Sequence, residues 1–310
     1  MATSLRGRNF TAMNDLSPDE LKLVLETSAK VKKNPAEYAD SFRGKTLAMI
    51  FQKPSLRTRV SFEAGMTQTG GHAIYLSPTD ISIGKRETTE DIALVLSRMA
   101  DLIMARTFGH DIVTDLARFA TVPVINGLSD HEHPCQILAD LQTIVERKGK
   151  LAGLNFVYSG DGNNVAHSLL LGGALAGMNV TIVTPPGYEP NKQVVAEARA
   201  LAPGGTRIET SNDLNSAAKG ADVIYTDVWA SMGQESDAAN RRNFFMPFQI
   251  NAKVMSLAHP DCVLLHCLPA HYDEEITYDV TRTPNSAIFD QAENRLHAQK
   301  ALMLLLAGAA

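Results

Sequence analysis

Cysteine is scarce: Cys135, Cys262 and Cys267 are the only three in 310 residues. That is too few for a disulfide framework in a chain of this length, and an odd count leaves one unpaired, so a reducing compartment is expected. Long apolar runs are missing too, with no stretch of about 18 residues that would span a bilayer. Arg6 and Arg8 lie near the start, but no apolar segment follows them, so a secretory leader is not indicated and the expected location is the cytoplasm, away from membranes. The sequence also lacks low-complexity tracts and any repeat of roughly 20 to 50 residues, which excludes solenoids and propellers. Nor is there an excess of positive charge. Lys and Arg number 29 against 34 Asp and Glu, for a net charge of −5, and this argues against a broad surface for nucleic acid or anionic lipid. Any anionic ligand must be met by a local cluster of cations. Neither His-Glu-x-x-His nor the phosphate loop Gly-x-x-x-x-Gly-Lys-Ser/Thr is present.

What is present describes an ordinary globular chain, with 45% apolar and 20% charged residues. Its length fits two domains of roughly 150 residues each. Ser17-Pro18-Asp19-Glu20 has the form of a capping box and predicts a helix to about Lys33. Apolar runs then alternate with helical patterns: strands at Leu47 to Phe51, His72 to Leu76, Leu102 to Ala105 and Pro123 to Ile125, with helices from Arg57, Thr89 to Met99 and Ile112 to Phe119. That rhythm predicts βαβ units and a parallel sheet. A helix from Pro134 ends in Arg147-Lys148-Gly149-Lys150, where a domain boundary is expected. The alternation restarts at Leu154 to Tyr158 and continues through Val180 to Val183, Arg207 to Glu209, Val223 to Asp227 and Val263 to His266. The predicted fold is α/β, with two parallel-sheet domains carrying helices on both faces. They cover residues 1–147 and 148–288, and a C-terminal helix over 289–310 packs back on the first.

Six constellations fall at or just after the carboxyl ends of predicted strands, where open parallel sheets bind ligands. Lys53-Pro54-Ser55-Leu56-Arg57-Thr58-Arg59 opens a helix, and helix N-termini offer backbone N–H groups and a positive dipole end to a phosphate. The plainer reading is a Ser cap with solvated arginines. Arg106-Thr107 is either a surface cation or an anion contact. In His131-Glu132-His133-Pro134-Cys135-Gln136, neutral His and Gln suit a small planar polar group, and a metal site is the rival. Gly160-Asp161-Gly162-Asn163-Asn164 begins like a dinucleotide fingerprint, but Val165 replaces the third glycine, which leaves a tight turn with an Asn cap or an amide for a polar ligand. Asp227 through Gly233, and His266-Cys267-Leu268-Pro269-Ala270-His271, complete the set. Asp227 suits an ammonium group or a cap, and Cys267 is an orienting group or an inert buried thiol.

Together, Ser55-Leu56-Arg57-Thr58-Arg59, Arg106-Thr107, His133-Pro134-Cys135-Gln136, Asp227-x-x-x-Ser231-Met232-Gly233 and His266-Cys267-Leu268-Pro269 resemble the ornithine branch of the aspartate/ornithine carbamoyltransferase family. The resemblance runs from the first helix to Arg295. The first three motifs resemble carbamoyltransferases in general. The Ser-Met-Gly and His-Cys-Leu-Pro segments resemble the ornithine type, where aspartate-type members usually carry His-Pro-Leu-Pro.

The resemblance implies that the first domain binds carbamoyl phosphate and the second binds L-ornithine, to give citrulline and phosphate in arginine biosynthesis or a urea-cycle or deiminase-type route. It implies phosphate contacts from Ser55, Leu56, Arg57 and Thr58, carbamoyl contacts from Arg106, His133 and Gln136, and Arg295 reaching in from the final helix. Ser82 stands where a neighbouring subunit commonly supplies Gln, and Leu56 where many members have Thr. Asn164, Asp227, Ser231 and Met232 would hold the α-amino and α-carboxylate groups, while Cys267 and Leu268 would lie beside carbamoyl phosphate on the path of the δ-amine. Arg57, Arg106, His133 and Cys267 would act in catalysis. No metal and no cofactor are implied, and the assembly would be a homotrimer or a multiple of it.

Other classes are a nicotinamide-dependent oxidoreductase built on Gly160-x-Gly162, a zinc module using His133, Cys135, His266, Cys267 and His271, and a non-catalytic relative. Against the first stands Thr184-Pro185, where an acidic residue should follow the second strand of the fingerprint.

Overall fold

A computed structural model describes residues 4–83, 86–230 and 238–310. The capping box forms: Ser17 Oγ accepts from the Glu20 N–H, the Glu20 carboxylate accepts from the Ser17 N–H, and Pro18 opens helix α1 (Pro18–Lys33). The chain then builds β1 (Thr46–Phe51), α2 (Leu56–Gln68), β2 (His72–Leu76), α3 (Pro78–Ile81), α4 (Thr89–Leu96), β3 (Leu102–Arg106), α5 (His110–Phe119), β4 (Val124–Leu128) and α6 (Pro134–Lys148). Among the described residues these strands form one wholly parallel sheet in the order β2-β1-β3-β4. Residues of β1, β3 and β4 are buried almost without interruption, as expected of parallel strands covered on both faces. Ala48, Ile50, Ile103 and Ala105 pack on one face against Ile92 and Ala93 of α4 and Val113 and Leu116 of α5.

The order changes direction at β1, whose neighbours are β2 on one side and β3 on the other. Such a switch point leaves a crevice at the carboxyl ends of the two inner strands. A register shift between Ala105 and Arg106 turns the end of β3 there, which re-aims Arg106.

The second sheet comes from β5 (Asn155–Ser159), α7 (Asn164–Leu175), β6 (Asn179–Val183), α8 (Lys192–Leu201), β7 (Ile208–Ser211), α9 (Leu214–Ala218), β8 (Val223–Thr226), α10 (Ala238–Phe245), α11 (Ala252–Met255) and β9 (Val263–His266). It is parallel throughout, in the order β7-β6-β5-β8-β9, with its own switch point at β5 and β8. Val157, Ile224 and Leu264 pack against Leu214 and Ala218 of α9 and Val254 of α11.

The last helix, α12 (Ile288–Ala307), docks on the first unit from Glu293 onward. Lys32 donates to Asn294 and Lys300 to Gln68, each at 2.8 Å, and a Cβ added at Gly65 would meet Lys300 and Met303 at 3.1 and 3.2 Å. A side chain there would have to push both aside by a few tenths of an ångström. The two compact units are Met1–Gln142 with Glu293–Ala310, and Thr143–Ala292.

Two strands differ from expectation by more than one residue at an end. The fourth, expected to end at Ile125, runs on through Asn126-Gly127 to Leu128, where Asn126 is fully buried: its N–H donates to the Phe10 carbonyl and its amide to the Thr11 carbonyl, both at 2.8 Å. The strand expected at Arg207 to Glu209 is Ile208–Ser211. The short helices α3, α9, α10 and α11 were not anticipated, since such brief segments carry too few turns to show a period. Among the described residues, no helix is long and apolar enough to cross a membrane.

Candidate functional site

In the first unit the candidate site grows from the N-terminus of α2. Ser55 is its N-cap, with Oγ accepting from the Thr58 N–H at 3.2 Å. The cap satisfies one of the orphan donors of the first turn and leaves others, with the positive dipole end, for an anion. Leu56 is the first helical residue and its side chain is 74% exposed, so what it offers the site is backbone. Arg57 follows, half-buried, and Thr58 is fully buried.

Thr58 is the junction of the site. Its Oγ1 accepts from Arg295 Nη2 at 3.0 Å and from Arg106 Nη1 at 3.4 Å. With both lone pairs facing guanidinium donors, the hydroxyl proton is left to point at a ligand oxygen. Arg295 Nη1 also donates to Gln136 Oε1 at 2.7 Å, and Gln136 Nε2 donates to Asp140 at 2.8 Å. The Gln136 oxygen is thereby held as an acceptor, suited to an amide N–H. Gln299 completes the support: its amide oxygen accepts from Arg295 Nε at 3.0 Å and Nη2 at 3.1 Å, while its nitrogen donates to Ser61.

His133, immediately before α6, is 6% exposed. Burial, followed by the charges of Arg295, Arg106 and Arg57, holds its imidazole well below the ordinary histidine range. A neutral ring is the form that can donate to a carbonyl oxygen without adding charge. The adjacent Cys135 thiol is pushed up to about 12 by burial and donates to the Asn126 carbonyl at 3.3 Å. In this environment it is held as a thiol rather than a thiolate nucleophile. Lys53 is buried, pairs with Asp130 and lies 4.5 Å from the Phe108 ring centroid. Ser82 caps the end of α3 in the left-handed region, at φ +47°.

In the second unit the corresponding strand ends carry Asp227, after β8, and Cys267, after β9. Asp227 is 6% exposed. Its Oδ1 accepts from the Val228 N–H at 2.8 Å and from Cys267 Sγ at 2.9 Å, and its Oδ2 accepts from Asn163 Nδ2 at 3.0 Å. Asn163 is the N-cap of α7, and Asn164 is its first, half-buried residue. The loop beyond Cys267 is held by His266: Nδ1 accepts from the Leu268 N–H at 2.8 Å, which leaves the ring proton on Nε2, donating to Glu275 at 2.9 Å. Leu268 lies at φ +57°, outside the usual range for a branched side chain, and this hydrogen bond stabilises it there. Ser231 and Met232 lie outside the described residues.

The dinucleotide reading of Gly160-x-Gly162 meets a steric obstacle. A Cβ at Gly162 would lie 2.3 Å from the Pro190 nitrogen and 2.6 Å from the Tyr188 carbonyl oxygen, which accepts from the Gly162 N–H at 2.9 Å. The glycine that would let a pyrophosphate approach instead lets the chain pack on itself. Among the described residues, the groups of three metal-capable side chains are Asp227, His266 and Cys267, and His271, Glu274 and Glu275. His133 and Cys135 join neither.

The motif Gly160-Asp161-Gly162-Asn163-Asn164 pointed to an Asn cap, and Asn163 is that cap. Sequence reasoning missed Gln299 and Glu275: Gln299 acts through Ser61 and Arg295 across the fold, and Glu275, nine residues from His266, lies in a loop without a periodic pattern.

Comparison with known proteins gives a consistent result. The model for the carbamoyl-P binding domain of aspartate/ornithine carbamoyltransferases matches residues 8–146, and that for the Asp/Orn binding domain matches 152–306. The chain is 54% identical over 312 residues to an ornithine carbamoyltransferase of Thermococcus kodakarensis, with 99% of each covered. It is 53% identical to an anabolic ornithine carbamoyltransferase of Pyrococcus furiosus, again with 99% of each covered. A solved structure of ornithine carbamoyltransferase from Pyrococcus furiosus superposes with a TM-score of 0.96 at 52% identity, covering 99% of both chains. One from Campylobacter jejuni gives 0.92 at 35% identity, covering 98% of this chain and 100% of that one.

Proposed function

Because the chain belongs to the aspartate/ornithine carbamoyltransferase family, we propose that it transfers the carbamoyl group of carbamoyl phosphate to the δ-amine of L-ornithine, giving L-citrulline and phosphate. The observation that carries this reading is the junction at Thr58, where Arg106 and Arg295 converge on the N-terminus of α2 beside a neutral, buried His133.

Carbamoyl phosphate carries about two negative charges near neutral pH. Its phosphate is received at the N-terminus of α2 and by Arg57, with Ser55 and Thr58 as hydroxyl partners. The carbonyl oxygen faces Arg106, His133 and the Thr58 hydroxyl, and the carbamoyl amide donates to Gln136 Oε1. Asp227 supplies a negative charge for the α-ammonium group of ornithine, helped by Asn163 and Asn164, with Ser231 and Met232 for the rest of the head group. Cys267 and Leu268 border the path of the δ-amine.

The reaction is direct attack. The δ-amine has an unperturbed pKa of about 10.4 and must be neutral to attack. Desolvation and the nearby arginines favour the neutral form. The nitrogen lone pair forms a bond to the carbonyl carbon, the carbonyl electrons move to oxygen, and Arg106, His133 and Thr58 stabilise that oxyanion until the carbonyl re-forms, the bond to phosphate oxygen breaks and the departing phosphate takes the extra proton of the attacking nitrogen. No covalent enzyme intermediate is required. The expected assembly is a homotrimer or a multiple of it, as the family resemblance implies.

The purified chain should form citrulline from carbamoyl phosphate and ornithine, with far slower transfer to aspartate, putrescine or acetylornithine. No citrulline, or equal rates with aspartate, would overturn the reading. Cys267 donates its thiol proton to Asp227, an orienting contact, so Cys267→Ala should lower ornithine affinity or turnover without abolishing it. A carbamoylated Cys267 detected by mass spectrometry would contradict direct attack.

A further inference from the structure

One buried charge pair in the second unit has no part in the chemistry above. Arg241, on α10, and Asp161, in the turn after β5, have side chains only 11% and 12% exposed. Arg241 Nη1 donates to Asp161 Oδ2 and to the Trp229 carbonyl oxygen, each at 2.8 Å. The guanidinium carbon lies 5.1 Å from the centroid of Tyr188 and 5.9 Å from that of Phe245, and the Trp229 ring is 5.8 Å from Phe245. These aromatic rings surround the cation without replacing its hydrogen bonds.

Asp161 is itself well anchored. Its carbonyl accepts from the Tyr158 hydroxyl at 3.0 Å, and the next residue, Gly162, is pressed against the Tyr188–Pro190 backbone so tightly that no side chain fits. Two residues on, Asn163 donates to Asp227. One guanidinium thus ties three pieces together: the turn that carries Asn163, the residue Trp229 two positions after Asp227, and α10. Trp229 and α10 flank residues 231–237 on either side.

A buried ion pair is a poor device for stability alone, because an apolar pair of similar volume avoids the cost of desolvating both charges. Its use lies in register. Asp161 also feels the charge of Asp227. Arg241 pairs with Asp161 directly, so the charge of Asp161 is met within the pair.

Building on the ornithine reading above, we propose that Arg241 and Asp161 are positioning residues for the amino-acid substrate, holding Trp229 and α10 in register with the turn that carries Asn163 and with Asp227. Neither touches the substrate. Their loss affects the amino-acid side of the reaction and leaves carbamoyl phosphate binding, which belongs to the first unit, as it was.

The test compares Arg241→Gln, Asp161→Asn and the double variant with the wild-type chain, and includes Arg242→Gln as an exposed neighbour. Steady-state kinetics are measured in both substrates, together with hydrogen exchange of the peptide spanning 228–240. A single variant leaves a lone buried charge and can lose stability, whereas the double variant removes both charges and keeps the fold. The ornithine KM should rise roughly 10-fold or more in the double variant, since a small misplacement of binding groups is costly. The carbamoyl phosphate KM should stay within about twofold, exchange in the 228–240 peptide should accelerate, and Arg242→Gln should behave as wild type. A wild-type ornithine KM in the double variant, or both KM values rising in step, would overturn the proposal. If the wild-type chain does not turn over ornithine, the substrate reading fails instead, and unchanged exchange in the 228–240 peptide then overturns the positioning role independently.

Discussion

Arg57→Ala is expected to lower turnover by roughly 100- to 1,000-fold with the fold intact, the cost typical of removing a charged donor aimed at a developing negative charge. Arg57 is the second residue of α2, half-buried, and its charge is one of the three that hold His133 neutral. Its loss therefore removes a phosphate contact and also relaxes the electrostatic setting of the imidazole that faces the carbonyl. Leu56→Ala is the internal control. The Leu56 side chain points largely to solvent, and its backbone N–H survives the substitution, so only a small change is expected. Citrulline formation and thermal melting of both variants decide the matter: equal activity in the two would remove Arg57 from the proposed machinery.

Asp227→Asn is expected to lower kcat/KM for ornithine by roughly 30-fold or more while leaving the carbamoyl phosphate KM nearly unchanged. Removing one member of a buried, hydrogen-bonded charge interaction costs about 2 to 5 kcal/mol. The carboxylate accepts from Cys267, Asn163 and the Val228 N–H together, and an amide cannot accept on both of its terminal atoms. One of those donors would be left facing an N–H group, and the negative charge for the substrate ammonium would be gone. An unchanged ornithine KM, with a melting temperature close to wild type, would rule out Asp227 as the ammonium partner.

The parts of the molecule legible in the sequence are those governed by local rules. Buried parallel strands must be nearly continuous apolar runs, so Leu47 to Phe51 and Val180 to Val183 stand out at once. Capping chemistry marks Ser17 and Ser55, and the carboxyl ends of strands mark where Arg106 and Asp227 should be sought. Asn126-Gly127 misleads, because a buried Asn paired to the Phe10 and Thr11 carbonyls looks like turn chemistry until those partners are known. The supporting contacts were hidden for a related reason. Asp161 and Arg241 are 80 residues apart, and Ser61 and Gln299 are 238 apart. No periodicity or spacing links such pairs, since only the completed fold brings them together.

The return of α12 to the first unit bears on how the molecule is made. Residues 143–292 are an insertion within a unit that begins and ends the chain. During synthesis the first sheet emerges early, but Arg295, which bonds Thr58 and Gln136, is added only after the whole second unit has been translated. Until then the N-terminus of α2 lacks one of its converging cations and the cover of α12. Thr58 and Gln136 thus receive their shared guanidinium partner only after the second unit has been made, so the first unit's hydrogen-bond network is completed from a segment that follows an independent core.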